Sequence, residues 1–126
     1  MRLFFAIIIA MNSAFVLTDG AEFSFISKKS HKFPDTDEGK LLEHDFHFTN
    51  TGDEPLIISK YKVACSCTKI TYPEDPILPG QKGTIHLSFD TDGKFGFQHR
   101  KIYITTNASK RPTVISFKVT VIRHYE

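Results

Sequence analysis

Apolar and polar residues alternate with a period of two along most of the chain. Between Leu42 and Thr49 the even-numbered positions are Leu, His, Phe and Phe, whereas the odd-numbered positions are Glu, Asp, His and Thr. Successive side chains of a β-strand point to opposite faces, so this segment predicts a half-buried strand. The same alternation recurs in the segments 23–25, 67–72, 85–89, 102–104 and 115–121, and a further strand after Pro55 is predicted with Leu56 and Ile58 inward.

Turn residues separate these segments about every 8–12 residues, which together with about seven short strands is typical of an immunoglobulin-like β-sandwich. The alternation favours mostly antiparallel strands with one solvated face. The polar segment Ser27 to Lys40 is interpreted as a connection that can hold one short edge strand at His31 to Phe33. Pro73 to Gly83 is a second predicted loop, in which Pro79-Gly80 suits the middle of a type II turn. The fold class predicted is therefore an all-β, antiparallel, immunoglobulin-like sandwich.

The N-terminal segment is typical of a signal peptide. Arg2 is followed by an apolar run from Leu3 to Leu17, interrupted only by Asn12 and Ser13. This run is shorter than the roughly 20 apolar residues that a membrane span needs. We predict a signal peptide at 1–20 and a domain at 21–126, with an uncleaved anchor as the alternative. The mature protein is then exported, periplasmic or secreted, with no stable membrane span.

Composition narrows the class of protein. The chain has 126 residues, enough for one domain, and its formal net charge is +2. Lysine and arginine are scattered among the acidic residues, so nothing in the sequence predicts a nucleic-acid partner. Twelve phenylalanines favour strands and suit the core of a sandwich.

Cys65 and Cys67 are the two cysteines of the chain. An exported protein favours a disulfide between them. However, residues i and i+2 of an extended strand lie about 6.5–7 Å apart at Cα, near the upper limit for a disulfide. A bond would therefore require a bulge or turn, and would serve as a redox element or as a local brace.

Two other interpretations of Cys65 and Cys67 stay open. Both thiols could chelate a soft ion such as copper or zinc, but a third ligand, a histidine, would have to come from elsewhere in the fold. The simplest alternative is two small buried residues at the start of a strand.

Sequence motifs of catalysis are missing. The chain has no Gly-x-Ser-x-Gly motif and no glycine-rich phosphate loop, and no two histidines have the helical spacing of a zinc protease. The six histidines are interpreted as packing or surface residues. We predict no catalytic residue, no cofactor and no enzymatic activity.

An ordered set of motifs resembles a known bacterial exported family. The segments that carry the resemblance are 46–52 (FHFTNTG), 55–58 (PLII), 65–68 (CSCT), 78–80 (LPG), 83–85 (GTI) and 105–107 (TTN). Together they are similar to domain-of-unknown-function family 1573, which is marked by F-x-F-x-N-T-G, a Cys-Gly-Cys-Thr box and a P-G turn. The resemblance covers roughly Phe46 to Val121. Similarity to Hydin-like and major-sperm-protein-like modules implies an immunoglobulin-like fold with a binding or scaffolding role.

Ser66 departs from the family pattern, which has glycine between the cysteines. Glycine would allow a positive φ and a tight bend, so the resemblance implies a Cys65–Cys67 turn less firmly here. The predicted function is a non-catalytic binding module for an unknown protein or envelope component, through a surface formed by the Cys box and the Pro73 to Gly83 loop. The alternative is a small thiol-redox or soft-metal protein that uses Cys65 and Cys67.

Overall fold

The computed structural model describes residues 20–124, which form nine strands and no helix. The strands, in chain order, are β1 (Phe23–Phe25), β2 (Ser30–Lys32), β3 (Thr36–Asp37), β4 (Leu41–Asn50), β5 (Ile58–Lys62), β6 (Thr68–Thr71), β7 (Lys82–Asp90), β8 (Gly96–Thr106) and β9 (Thr113–Ile122). The predicted signal peptide lies, except for Gly20, outside the described residues. No helix within 20–124 is long and apolar enough to cross a membrane.

The strands form two packed sheets. Sheet A has the order β1-β4-β7-β6, and sheet B has the order β2-β9-β8-β5, with β3 also paired to β9. All pairs are antiparallel except those of β2 and β3 with β9, which are parallel. The all-β sandwich class is therefore confirmed. The count of about seven strands was low. The connection 27–40 holds the predicted edge strand, which is β2 and begins one residue earlier than expected, and it also holds β3, which was not predicted.

The core lies between the sheets and is built by the alternation that the sequence shows. In β9 every second residue from Ile115 is buried, and the residues between them are not. Four phenylalanines are completely buried, namely Phe46, Phe48, Phe89 and Phe117. They come from both sheets, so burial of apolar surface between the sheets is the main stabilising contribution to the fold.

β5 is much shorter than its neighbour β8. Residues Ile58 to Lys62 pair with Thr106 to Tyr103, and β8 then continues back to Gly96. Residues 96–102 of β8 pair with β9 on one side, and no described strand pairs with them on the other. The chain meanwhile leaves sheet B after Lys62 and crosses to β6 of sheet A. This early departure leaves part of the edge of β8 open.

Candidate functional site

A groove lies where β5 ends beside β8. It has a volume of about 700 Å³ and is lined by residues 60–65, Thr68, residues 99–101, Tyr103, Thr105 and Pro112. We call it the β8 groove. Its walls are the short strand β5, the crossing segment after it, and the central part of β8. The groove therefore exists because β5 stops half-way along β8.

The ionisable side chains of the β8 groove are mostly basic. Lys60, Lys62 and Lys101 are exposed, His99 is exposed, and Arg100 is partly buried. The lining residues include two tyrosines but no aspartate or glutamate. The groove thus presents positive charge, and it lacks the paired carboxylates or acid–base partners that general acid–base catalysis uses.

Arg100 points inward from β8 towards sheet A. Its guanidinium lies 5.9 Å from the centre of the Phe89 ring, and its Nη2 donates to Oε1 of Gln98 at 2.7 Å. Its Nε is buried and has no hydrogen-bond partner among the described residues. A donor left unsatisfied in a buried position costs free energy.

The Cys box forms a tight turn at one end of the groove. The sulfurs of Cys65 and Cys67 are joined at 2.05 Å, and their Cα atoms are 5.2 Å apart. The turn brings the Cα atoms within the usual range for a disulfide, closer than an extended strand would allow. Ser66 has no positive φ, since no described residue other than glycine has one. A serine at this position is thus compatible with the turn.

The surroundings of Cys65 are basic. The backbone N–H of Cys67 lies 3.2 Å from the Cys65 sulfur, and Nζ of Lys94 lies 3.8 Å from it. Cys65 itself lines the groove. Among residues 20–124 no three histidine, cysteine or acidic side chains are grouped as metal ligands. The fold therefore brings no third ligand to this pair within that range, and metal binding stays a prediction.

The predicted proximity of the Cys box to the Pro73 to Gly83 loop is wrong. The carbonyl of Cys67 accepts from Asp90, at the β7–β8 end of the sandwich. Gly80 instead donates to Asn50. The two segments lie at opposite ends because β6 runs between them. The neighbour of the Cys box is the loop after β7.

The histidines occupy packing and surface positions, as the sequence predicted. His47 and His99 are exposed, whereas His86 pairs with Asp45 at 2.6 Å and with a second carboxylate, that of Glu43. Two other contacts of histidines connect separate parts of the chain. The ring of His31 in sheet B stacks on that of His44 in sheet A, with 3.6 Å between the ring centres. Nε2 of His124, near the C-terminus, lies 2.8 Å from Oδ1 of Asp37. His31 lies within β2 rather than beside a strand.

The basic groove was not predicted, because lysines are scattered among acidic residues along the chain and are brought together only where β5 pairs with β8. The β5 and β8 segments, ISKYK and GFQHRKIYITT, contain basic residues and no acidic ones. That strand-by-strand bias is the signal that could have identified Lys60, Lys62, Arg100 and Lys101.

The chain has the fold of an immunoglobulin-like β-sandwich, and solved structures of low sequence identity share it. A PapD-like domain of human CEP192 has a TM-score of 0.62 and 12% identity, covering 83% of this chain and 87% of that one. A protein of unknown function from Porphyromonas gingivalis W83 has a TM-score of 0.69 and 14% identity, covering 85% of this chain. The match covers 50% of the Porphyromonas protein, so this chain spans about half of its length.

Enzymes also contain similar folds. The secreted serine protease VesC from Vibrio cholerae has a TM-score of 0.58 and 13% identity, and the match covers 81% of this chain and 23% of that one. At such identities the likeness shows the fold alone. A comparison with curated proteins finds no significant match.

The family is shown by the sequence itself. The family described as "Protein of unknown function (DUF1573)" matches residues 24–121. The chain belongs to this family, which confirms the resemblance drawn from the motifs. An immunoglobulin-like member of a family of unknown function is consistent with a binding module.

Proposed function

We propose that the chain is an exported, non-catalytic binding module that receives an extended segment of a partner, a protein or an envelope component, in the β8 groove. The observation that carries this proposal is the open edge of β8. β5 covers only Tyr103 to Thr106, whereas β8 begins at Gly96. A strand of a partner would fit where β5 is missing.

The physical reason is backbone hydrogen bonding. A strand with no neighbour on one side presents N–H and C=O groups that an extended peptide can pair with, and grooves for alternate side chains then give specificity. Charged side chains such as exposed His99 and Lys101 discourage indiscriminate pairing of such an edge. The open edge of β8 therefore suits a selective partner.

Amide hydrogen exchange tests this proposal. Peptides selected without bias from a displayed library of extended sequences are added to the domain, and protection is measured at each residue. We expect slower exchange in residues 97–101, with no change in β6, the exposed edge of sheet A. Protection confined to any other edge, or selection that yields no binding peptide, would overturn the proposal.

Export has its own test. The mature protein is expected to begin at Ala21, because cleavage after Gly20 places small residues before the cut. Intact-mass measurement on protein recovered outside the cytoplasm should give residues 21–126. A mass that includes Met1 would contradict cleavage.

A second candidate function is thiol redox chemistry, favoured by the position of Lys94. An ammonium group beside a cysteine stabilises the thiolate, and Nζ of Lys94 lies 3.8 Å from the Cys65 sulfur. A dithiol reductant would give two electrons and two protons to the Cys65–Cys67 bond and become a disulfide itself. We expect Lys94→Gln to slow alkylation of Cys65 in the reduced protein near neutral pH. Lys69→Gln is the matched control. Equal alkylation rates in all three proteins would remove this candidate.

A further inference from the structure

Acidic residues are rare in the strands of sheet B. Strands β2, β5, β8 and β9 of sheet B carry six lysines and arginines and no aspartate or glutamate; the six are Lys32, Lys60, Lys62, Arg100, Lys101 and Lys118. The strands of sheet A are mixed and carry Glu43, Asp45 and Asp90 together with Lys69 and Lys82. The one acidic residue in a strand beside sheet B is Asp37 of β3, and β9 and β8 separate β3 from the groove.

The basic residues of the groove have no carboxylate partner within the part of the chain that the structure describes. The salt bridges there join His86 to two acids, Arg123 to Glu38, and His124 to Asp37. Asp90 lies near the Cys box but does not line the groove. The positive charge of the groove is therefore available to a ligand.

The basic side chains follow the geometry of a strand. On β8, His99 and Lys101 point outward two residues apart, and Arg100 points inward between them. Lys62 lies opposite Tyr103 in the register, and Lys60 lies opposite Thr105, so the outward row continues onto β5. A strand placed beside β8 would project its side chains alternately to these same two faces. Successive side chains on one face would lie about 7 Å apart. The outward positions on the open part of β8 are Phe97, His99 and Lys101, and Lys62 lies at the adjoining end of β5. Carboxylates on the outward face of that strand would therefore lie beside Lys101 and near Lys62.

We propose that the ligand of the β8 groove is an acidic extended segment of a partner polypeptide, with aspartate or glutamate at alternate positions. This inference rests on the proposed function, since it names the partner of the same groove. Charge complementarity favours such a segment, because opposite charge across an interface sets register and excludes wrong partners.

Synthetic peptides test the inference directly. Three peptides of about ten residues are compared by fluorescence anisotropy. In the first, glutamate alternates with threonine, and in the second, glutamine alternates with threonine. The third, the block peptide, has the composition of the first, but its glutamates are grouped in one half and its threonines in the other. We expect the alternating acidic peptide to bind at least about tenfold more tightly than the glutamine peptide, with affinity falling about tenfold between low and high salt. The block peptide should bind more weakly than the alternating one.

Matched variants locate the binding. The triple variant Lys60→Gln, Lys62→Gln, Lys101→Gln should weaken binding of the acidic peptide about tenfold. The control triple variant Lys40→Gln, Lys69→Gln, Lys82→Gln removes the same charge outside the groove, from β6, β7 and the turn before β4, and should bind as the wild type does. Equal losses in the two variants would show attraction to net charge alone and would overturn the inference.

The outcomes separate the two proposals. Equal binding of the acidic and glutamine peptides, with protection of residues 97–101, would overturn the acidic partner and leave strand addition intact. Groove-dependent binding of the acidic peptide without that protection would overturn strand addition. A polysaccharide that bears carboxylates is tested in the same way. If it binds the groove more tightly than any of the peptides, the ligand is a glycan, and the proposal of an acidic polypeptide is overturned.

Discussion

The side chain of Asn50 ties together three parts of the chain. Its Oδ1 accepts from the backbone N–H groups of Glu22 and Gly52, at 3.2 and 3.0 Å. Its Nδ2 donates to the carbonyls of Glu54 and Ile77, at 2.7 and 2.9 Å. The residue is completely buried; its bond to Ile77 is buried as well, and the other three bonds are partly buried. Asn50 therefore fixes the turn after β4, the segment before β1 and the loop before β7.

We expect Asn50→Ala to lower the free energy of unfolding by about 3 kcal/mol, because two backbone donors and two acceptors would lose their partner in a buried site. Urea unfolding followed by circular dichroism measures the loss. Asn107→Ala is the control, since Asn107 is exposed and makes two similar bonds to Ile57 and Pro55. A loss at Asn50 no larger than that at Asn107 would contradict the role.

This residue shows what the sequence could and could not provide. Asparagine and glycine are typical turn residues, and the chain bends at residues 52–54, directly after this motif. The contact with Ile77, 27 residues further along the chain, has no signal in local spacing. The F-x-F-x-N-T-G part of the family pattern thus stabilises the fold, and its residues do not line the β8 groove.

Strands β2 and β3 are held in place mainly by their contacts with other elements. Their segments are short and polar. The sequence predicted an edge strand at His31 to Phe33 but not β3, and the parallel pairing of both strands with β9 could not be predicted from periodicity. One stabilising contact is the stack of the His31 ring of β2 on the His44 ring of β4, 3.6 Å apart and 12° from parallel. Phe33 packs edge-on against the His31 ring. The His31–His44 stack therefore joins sheet B to sheet A.

This stack predicts a pH dependence of stability. Burial lowers the pKa of His31 below its ordinary value of 6.5. Burial first, and then the nearby His31, lowers the pKa of His44, while Asp45 raises it and His47 lowers it. The unfolded chain then binds protons more readily than the folded one. The contribution of the pair is complete above pH 6.5 and is lost as pH falls from 6.5 through the lowered folded pKa.

Urea unfolding at about pH 8 and about pH 5 measures this effect. We expect the double variant His31→Phe, His44→Phe to lose less stability than the wild type between those values. His86→Ala should change the pH dependence of stability in the opposite direction. Hydrogen bonding to Asp45, and then to Glu43, raises the pKa of His86, so His86 stabilises the fold at low pH. Its removal should steepen the loss. The same pH dependence in the wild type and the double variant would rule out the role of the stack.

At the scale of the whole molecule, alternation alone predicted which faces meet, but it did not predict which loops meet. Even-numbered positions of β4 and odd-numbered positions of β9 form the core as predicted. The crossing after Lys62 leads into the Cys box, which contacts Asp90 and Lys94 far along the chain. The groove follows from that crossing, so it could not be predicted from any one segment.

The packing of the two sheets depends on a few large side chains, and Phe117 is central among them. It is completely buried on β9, its ring lies 4.9 Å from Phe89 of sheet A, and it lies 5.8 Å from Phe33, which follows β2. Phe117→Ala would leave a cavity between the sheets, since the rings of Phe89 and Phe33 belong to separate elements and cannot both collapse into it. We expect a loss of about 3–5 kcal/mol in urea unfolding.

Val114 provides the matched control, because it lies on the same strand with 40% of its surface exposed. Val114→Ala should cost less than about 1 kcal/mol, since a half-exposed side chain leaves no closed cavity. Similar losses for the two variants would show that β9 does not bury its odd-numbered face. The register of the β8–β9 pair would then be wrong, and so would the position of the groove. A large difference would support the arrangement in which Phe117 joins both sheets behind the open edge of β8.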